Sequence, residues 1–284
     1  LEALMGSPRP FGKRLAELKQ NEGQDRTAAN VRRMLKGSQV VKSHDDCDRV
    51  QDPYSLRCVP QIHGAVKTAL QHVVDVLSGE LGAVTDNPIV DPVTKEVFSA
   101  GLFHGQPLSM ILDYLGLSVC TLANVSERRI EQMVNPDLSG LPAFLTPNPG
   151  LHSGLMIAQY AAAALASENK VYAHPASVDS VPTSANQEDH VSMGVTAGRK
   201  ARTILDNTQR VLAIEWVCAV QAREFRSEIK AGKGVEAGAA LLRTKVKALK
   251  DDRYLKPDLD AAEDLLASGA LVAAVEKAVG SLSH

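Results

Sequence analysis

The sequence contains few aromatic residues: Phe, Trp and Tyr make up only 4% of its 284 residues. β-Strands are enriched in aromatic residues, whereas abundant Ala and Leu favour close-packed helices. A basic surplus is also absent, because 31 Lys and Arg residues face 33 Asp and Glu residues, for a net charge of -2. This balance argues against a nucleic-acid or anionic-membrane partner. No uninterrupted apolar run reaches the roughly 18 residues of a membrane helix.

Cysteines are few and show neither metal-ligand spacing nor the density of a disulfide framework. They are Cys47, Cys58, Cys120 and Cys218. A reducing, cytoplasmic location fits this usage. The cluster His44–Asp48 is too dense for one tetrahedral site, so we expect solvated charges there and no bound metal.

The first residues, Leu1 to Met5, resemble the interior of an apolar element rather than a chain start. We therefore expect this chain to be the downstream part of a longer polypeptide. Whether it is a processed subunit, a split gene product or a truncated form is not determined by the sequence.

Apolar residues at helical spacing predict four long helices. They cover approximately residues 60–77, 107–134, 153–171 and 187–225. A small hairpin is expected where Ile89-Val90 and Val97-Phe98 flank a turn. The fold class is therefore all-α, a bundle of long antiparallel helices with functional loops at the helix mouths. We expect residues 1–226 to form this bundle and residues 227–284 to form a small helical tail packed on it.

A short polar turn, Gln51-Asp52-Pro53-Tyr54-Ser55-Leu56-Arg57, stands just before a predicted helix. Pro60 is typical of the first helical turn. The turn would place a carboxamide, a phenol and a guanidinium at one helix mouth. These groups could converge on an anionic ligand, although a capped helix with an exposed loop is the simpler interpretation.

Further motifs follow along the chain. They are Gly101-Leu102-Phe103-His104-Gly105-Gln106-Pro107, Ser126-Glu127-Arg128-Arg129-Ile130, Leu138 to Leu145, and Thr183-Ser184-Ala185-Asn186-Gln187-Glu188-Asp189-His190-Val191-Ser192-Met193-Gly194. Together with the 51–57 turn, they resemble the signatures of the aromatic amino acid ammonia-lyase family, in the family's order. The resemblance covers nearly the whole chain and weakens after about Arg226.

The resemblance implies elimination of ammonia from an α-amino acid to give an α,β-unsaturated acid. Such a reaction needs an electrophile and a positioned base acting together. In the family the electrophile is a methylidene-imidazolone formed from an internal Ala-Ser-Gly, and no metal is needed. The family's Ala-Ser-Gly and its main base, a tyrosine, belong to an upstream region absent from this chain.

An Ala-Ser-Gly does occur here, as Ala267-Ser268-Gly269, between two apolar segments of the tail. Neither flank matches the glycine-rich setting of the family's triad. We expect a helix C-terminus in which Gly269 is the left-handed cap. This tripeptide is therefore not expected to form the electrophile.

The resemblance also implies roles for individual residues. Arg57 would bind the substrate carboxylate through a planar two-point contact. Tyr54 would donate a hydrogen bond or handle a proton near the amino group, and Gln51 would bind near the electrophile. Phe103 would form an aromatic wall, and Gln187 would tie the mouth of the last long helix to a neighbouring loop.

Glu188 determines the expected substrate. Its simplest role is a favourable charge on the dipole at the start of the last long helix. By resemblance it lies beside the substrate ring, where a carboxylate suits an imidazole and therefore L-histidine, with trans-urocanate as product. His104, His174 and His190 are further acid–base candidates, of which His190, on another helix face, is expected to be structural.

Two other functions stay open. A related aromatic amino acid ammonia-lyase or an aminomutase would share this pocket, and a catalytically silent helical assembly module would not need it. The resemblance implies a homotetramer whose active sites draw on several subunits, together with the missing upstream part. The expected ligand is a small amino acid, with neither nucleic acid nor membrane as partner.

Overall fold

The computed structural model describes residues 1–43 and 50–283, so the cluster at 44–48 lies outside the described residues. The helices are α1 (Lys13–Lys19), α2 (Glu22–Met34), α3 (Gln39–Lys42), α4 (Tyr54–Arg57), α5 (Val59–Leu81), α6 (Gln106–Val134), α7 (Pro136–Ser139), α8 (Met156–Tyr172), α9 (Gly194–Glu224), α10 (Lys233–Arg243), α11 (Lys256–Ala267) and α12 (Ala270–Val279). The strands β1 (Ile89–Val90) and β2 (Val97–Phe98) form one antiparallel hairpin. The all-α prediction and the predicted hairpin are confirmed.

The centre of the molecule is the pair α6 and α9. Gly116 on α6 approaches Ile204 on α9, and further along both helices Ser126 Oγ donates to Glu215 at 2.6 Å. Residue numbers therefore rise together, so these two helices are parallel. Because α6 and α9 run in the same direction, the chain must return to the starting end of the bundle between them, and α8 makes this return.

Helices α5 and α8 run antiparallel to α6. Gln159, near the start of α8, donates to Glu131, whereas Lys170, near its end, lies close enough to Cys120 to affect its pKa. The core between these helices is largely aliphatic. Its fully buried members include Ile130, Leu145, Leu155, Ala162 and Val211.

Helix α6 is long and apolar enough to cross a membrane by length and composition alone. Its middle packs on α5, α8 and α9, and it carries Arg129, which pairs with Glu215 of α9. Burial against three neighbours and an internal ion pair are typical of the core helix of a folded domain.

The approach of α2 to α5 depends on two glycines. A Cβ on Gly23 would lie 2.3 Å from the carbonyl oxygen of Gly64, and a Cβ on Gly64 would lie 2.5 Å from the Gln24 nitrogen. Only glycine at both positions permits this backbone contact.

The residues after 226 form three helices, and α11 packs on α9 while α10 packs on α12. The chain end returns to α2, where the Asn30 side chain exchanges two 2.8 Å hydrogen bonds with the Ser283 backbone. Residues 227–232 connect α9 to this tail, and the chain becomes helical again at Lys233.

The last long helix begins at Gly194, and its predicted start at Gln187 is wrong. Ser184, Ala185 and Asn186 all have positive φ, between 49° and 70°, which interrupts a right-handed helix. Glu188 and His190 therefore lie in a loop before α9. The expected role of Glu188 in the first helical turn is incorrect, as is the placement of His190 on a helix face.

Candidate active site

The Gln51–Arg57 turn is held by its own backbone. Pro53 is the N-cap of α4, and Arg57 Nε donates to the carbonyl oxygen of Asp52 at 2.9 Å. The buried carboxylate of Asp52 in turn accepts the Ser7 N–H at 2.6 Å. These bonds fix the ends of a single helical turn and thereby orient the side chains of Tyr54 and Arg57.

The guanidinium of Arg57 lies over the ring of Tyr54, with Cζ 4.4 Å from the ring centroid. This is cation–π geometry. Tyr54 is 67% exposed and Gln51 is also exposed, whereas Arg57 is half-buried beside them. Within residues 1–43 and 50–283 the two Nη atoms of Arg57 have no hydrogen-bond partner, which leaves the planar edge available to a carboxylate. We call Gln51, Tyr54 and Arg57 the clamp group.

A buried ion pair lies beneath the clamp group. Arg129 Nη2 donates to Glu215 Oε2 at 2.8 Å, Ser126 donates to the same oxygen, and Arg129 Nη1 reaches the Ser55 carbonyl at 3.4 Å. Burial raises the pKa of Glu215, but the charge and hydrogen bonds of Arg129 and Ser126 outweigh it and hold that pKa below its usual value. The pair therefore stays ionised and links α4 to both central helices.

The remaining predicted residues form a second group, the ring group, made of Phe103, Gln187 and Glu188. All three are exposed, and they lie beside the adjacent N-termini of α6 and α9. Both N-termini carry a partial positive charge that favours a nearby carboxylate. The approach is close, because a Cβ on Gly105 would lie 2.9 Å from Ser192 Oγ.

Two side chains of α6 hold the loop before α9 through hydrogen bonds. The buried carboxylate of Asp113 accepts the Ser177 N–H at 2.6 Å, and Gln106 Nε2 donates to the Ser177 carbonyl at 3.2 Å. Higher in the loop, Ser180 Oγ accepts the Val191 N–H at 2.8 Å. The backbone of Ser177 is thus held at both its N–H and its carbonyl, which fixes the loop that carries Gln187 and Glu188.

Two histidines join the two loops of the ring group. The rings of His104 and His190 stack with centroids 5.8 Å apart, and His104 Nε2 lies 3.1 Å from the His190 carbonyl oxygen. His174 is not part of this stack, and its carbonyl accepts a hydrogen bond from Lys200.

The clamp group and the ring group lie near opposite ends of α6. The clamp group is attached near Arg129, whereas the ring group surrounds the N-terminus at Gln106. A rise of 1.5 Å per residue puts these positions roughly 35 Å apart. One amino acid cannot bridge that distance, so the two groups of a single chain cannot serve the same substrate molecule.

The prediction that Gly269 of Ala267-Ser268-Gly269 is a left-handed cap is confirmed. Gly269 has φ 74° and donates its N–H to Leu266, and Ser268 Oγ donates to Leu265 at 3.3 Å. The tripeptide is an exposed turn between α11 and α12, with no predicted site residue hydrogen-bonded to it.

A cavity of about 530 Å³ lies between α2, α5, α9, α10 and α12, where Leu56 of α4 and the Arg129–Glu215 pair form part of its wall. It is mainly apolar, contains His63, and is lined by none of the predicted site residues. Among residues 1–43 and 50–283, no group of three or more His, Cys, Asp or Glu side chains could hold a metal ion.

Sequence reasoning did not single out Asp52, Asp113 and Glu215, which support the site through hydrogen bonds. Asp52 carried a local signal, because an acid before Pro53 is typical of a turn. Asp113 and Glu215 carried none, because their partners lie 64 and 86 residues away in the chain.

This chain is similar to several known proteins. The family model "Aromatic amino acid lyase" matches residues 1–244. The histidine ammonia-lyase of Symbiobacterium thermophilum is 54% identical over 281 residues, which are 99% of this chain and 55% of that protein. That of Sorangium cellulosum is 52% identical over 100% of this chain and 56% of its own length. The chain spans about half the length of the curated relatives it matches.

Solved structures agree in fold. Histidine ammonia-lyase from Trypanosoma cruzi superposes with a TM-score of 0.89 and 41% identity, over 98% of this chain and 52% of that one. Tyrosine aminomutase from Streptomyces globisporus gives a TM-score of 0.92 with 35% identity, over 99% and 58% of the two chains.

Proposed function

The chain belongs to the aromatic amino acid lyase family, and we propose that it is the downstream part of a histidine ammonia-lyase, a carbon–nitrogen lyase. The proposed reaction eliminates ammonia from L-histidine to give trans-urocanate. Support for the substrate comes from relatives named histidine ammonia-lyase that are 54% and 52% identical. The carboxylate of Glu188, which the family resemblance puts beside the substrate ring, suits an imidazole and agrees with this choice.

The main support for a shared site is the separation of the clamp group and the ring group along α6. Because a clamp group and a ring group from one chain cannot meet on one substrate, a complete site needs the clamp group of one copy and the ring group of another. Five of the six predicted site residues are exposed in the single chain and Arg57 is half-buried, as expected for residues that face a partner copy. We propose a tetramer that builds its sites in this way, in the cytoplasm.

Each group has a distinct task in such a site. The Nη edge of Arg57 would bind the α-carboxylate through two parallel hydrogen bonds. The phenol of Tyr54, stacked beneath that guanidinium, would donate to or take a proton near the amino group. From the partner copy, Glu188 would accept the N–H of the imidazole and Phe103 would pack against the ring face.

The electrophile would come from outside this chain. A methylidene-imidazolone formed from an upstream Ala-Ser-Gly would activate the substrate for loss of ammonia, and no metal would be required. Ala267-Ser268-Gly269 does not fit that role, because Gly269 is the left-handed residue of an exposed turn. Copies of this chain alone would therefore supply the groups for the two ends of the substrate without eliminating ammonia.

The decisive experiment uses the full-length polypeptide with L-histidine and follows urocanate by its ultraviolet absorbance. Full-length Arg57→Ala and Glu188→Ala variants should each be nearly inactive alone. Unfolding and refolding the two together should restore a substantial part of the activity, because some sites receive both intact groups. A wild-type protein without urocanate production would refute the substrate, and a mixture as inactive as its components would refute the shared site.

An aminomutase is the second candidate, supported by the TM-score of 0.92 to tyrosine aminomutase. It would re-add ammonia at the β-carbon instead of releasing an unsaturated acid. Product analysis separates the two reactions, since β-histidine would appear in place of free urocanate and ammonia. If the complete polypeptide gave neither product, the remaining alternative would be the silent assembly module.

A further inference from the structure

An unusual turn places Thr183 directly opposite Glu188. The three residues Ser184, Ala185 and Asn186 have φ values of 49°, 52° and 70°, although none is glycine. Left-handed backbone is unfavourable for a residue with a Cβ, and such strain persists only where the surroundings impose it. Here it folds the chain back within five residues.

Thr183 and Glu188 form a two-bond antiparallel pair across this turn. The Thr183 N–H donates to the Glu188 carbonyl at 3.0 Å, and the Glu188 N–H donates to the Thr183 carbonyl at 3.3 Å. Thr183 is fully extended, with φ -134° and ψ -180°, as suits a β-branched residue. The backbone of Glu188 is therefore fixed by Thr183 before any side-chain contact is considered.

A third hydrogen bond joins the side chains of Thr183 and Glu188. The Thr183 hydroxyl donates to Glu188 Oε2. Among the residues that the structure describes, Oε1 has no hydrogen-bond partner, and Glu188 is exposed. One oxygen of the carboxylate is thus occupied and the other is available.

We propose that Thr183 is a positioning residue. By occupying one carboxylate oxygen of Glu188, it leaves the other oxygen to accept a hydrogen bond from one N–H of the substrate ring. This inference rests on the proposed function, in which Glu188 binds the substrate ring. With Oε2 held by Thr183, Oε1 faces the substrate and accepts one N–H. The preferred substrate is then an α-amino acid whose ring offers one N–H at its edge, and rings without a donor gain nothing from this carboxylate.

The test compares two inhibitors on the full-length enzyme. Imidazolepropionate carries the ring N–H, whereas phenylpropionate has the same acid chain and no ring donor. In Thr183→Val, which keeps the shape and removes the hydroxyl, the inhibition constant for imidazolepropionate should rise about tenfold or more, as for a hydrogen bond to a charged group. The constant for phenylpropionate should stay within about twofold.

Two further variants serve as controls. Thr183→Ser keeps a hydroxyl and should restore most of the affinity for imidazolepropionate. Ser184→Ala removes a neighbouring hydroxyl of the same turn that has no side-chain bond in the described residues, and it should leave both constants unchanged. Thermal unfolding of all three variants checks that the fold is intact.

The outcomes separate this inference from the proposed function. If the wild type produces urocanate but Thr183→Val weakens both inhibitors equally, Thr183 only supports the loop and the inference is overturned. Unchanged constants in Thr183→Val would overturn it as well. If the wild type produces no urocanate and does not discriminate between the inhibitors, the proposed function itself has failed.

Discussion

Arg57 and Tyr54 behave as one unit, because the guanidinium rests on the phenol ring at 4.4 Å while its Nε is bound to the Asp52 carbonyl. The stack fixes the plane of the guanidinium, and the backbone bond fixes its rotation within that plane. The edge that carries the two Nη atoms consequently has a fixed orientation without help from a ligand. Such preorganisation lowers the cost of binding a carboxylate.

The stack predicts different effects for conservative changes at Arg57 and Tyr54. In the full-length enzyme, Arg57→Lys should lower kcat/KM by about one to two orders of magnitude, because lysine lacks the planar pair of donors. Tyr54→Phe keeps the ring beneath Arg57 and should raise KM little, so any loss in kcat reports on the hydroxyl. Unchanged kinetics in Arg57→Lys would remove this residue from the carboxylate site.

The tail tripeptide provides a second prediction with an internal control. Ser268→Ala should leave activity and the electrophile's absorbance intact, because Ser268 only caps a turn. Gly269→Ala should lower the free energy of unfolding by about 1–2 kcal/mol, since Gly269 has φ 74°. Absorbance lost in Ser268→Ala would contradict our rejection of this tripeptide.

Removing only one partner of the Arg129–Glu215 ion pair should strongly lower the free energy of unfolding. Arg129→Met leaves Glu215 buried without its cation, and we expect a loss of about 3–5 kcal/mol in the free energy of unfolding. Arg129→Met combined with Glu215→Leu should recover much of that stability, because neither charge remains. Urea unfolding of the two variants measures the difference, and a double variant less stable than Arg129→Met would contradict it.

His63 predicts a specific pH dependence of stability. Burial, followed by the positive charges of Arg129 and, more weakly, Lys67, lowers its pKa from 6.5 to about 4 against the opposing charge of Glu215. The unfolded chain therefore binds a proton near pH 6.5 that the folded chain binds only near pH 4. Stability should fall as the pH drops through this window, by at most about 3 kcal/mol.

Urea unfolding at several pH values between 4 and 7 measures this slope in the chain and in two variants. His63→Phe should flatten it, because the titrating group is gone. His72→Phe, a matched change on the same helix, should keep it. An unchanged slope in His63→Phe would assign the pH dependence to other groups.

The main helices could be predicted because their signals are local. Apolar residues at helical spacing and Pro107 in the first turn placed α6 within one residue of its observed limits. The start of α9 was misplaced because Gln187 to Met193 contain no proline or glycine that would exclude a helix. The left-handed turn at 184–186, the pairing of Thr183 with Glu188 and the bond from the Val191 N–H to Ser180 keep these residues out of the helix.

The site residues were recognisable from motifs, but their arrangement was not. Phe103 stands just before the predicted start of α6, but nothing local in Gln51–Arg57 indicates that this segment attaches to the other end of the same helix. That separation follows from tertiary contacts such as the Arg129 bond to Ser55. Likewise, Asp113 and Glu215 gain their roles only through partners that are distant in the chain.

The parallel arrangement of α6 and α9 has a consequence for how the chain folds. Two helices that begin at the same end cannot close as a hairpin, and here α8 must first return along the bundle before α9 can take its place. During synthesis the face of α6 that contacts α9 therefore stays uncovered until roughly 60 further residues have emerged. Such non-local closure slows folding, so we expect the polypeptide to mature on a timescale of seconds and to need protection from aggregation meanwhile.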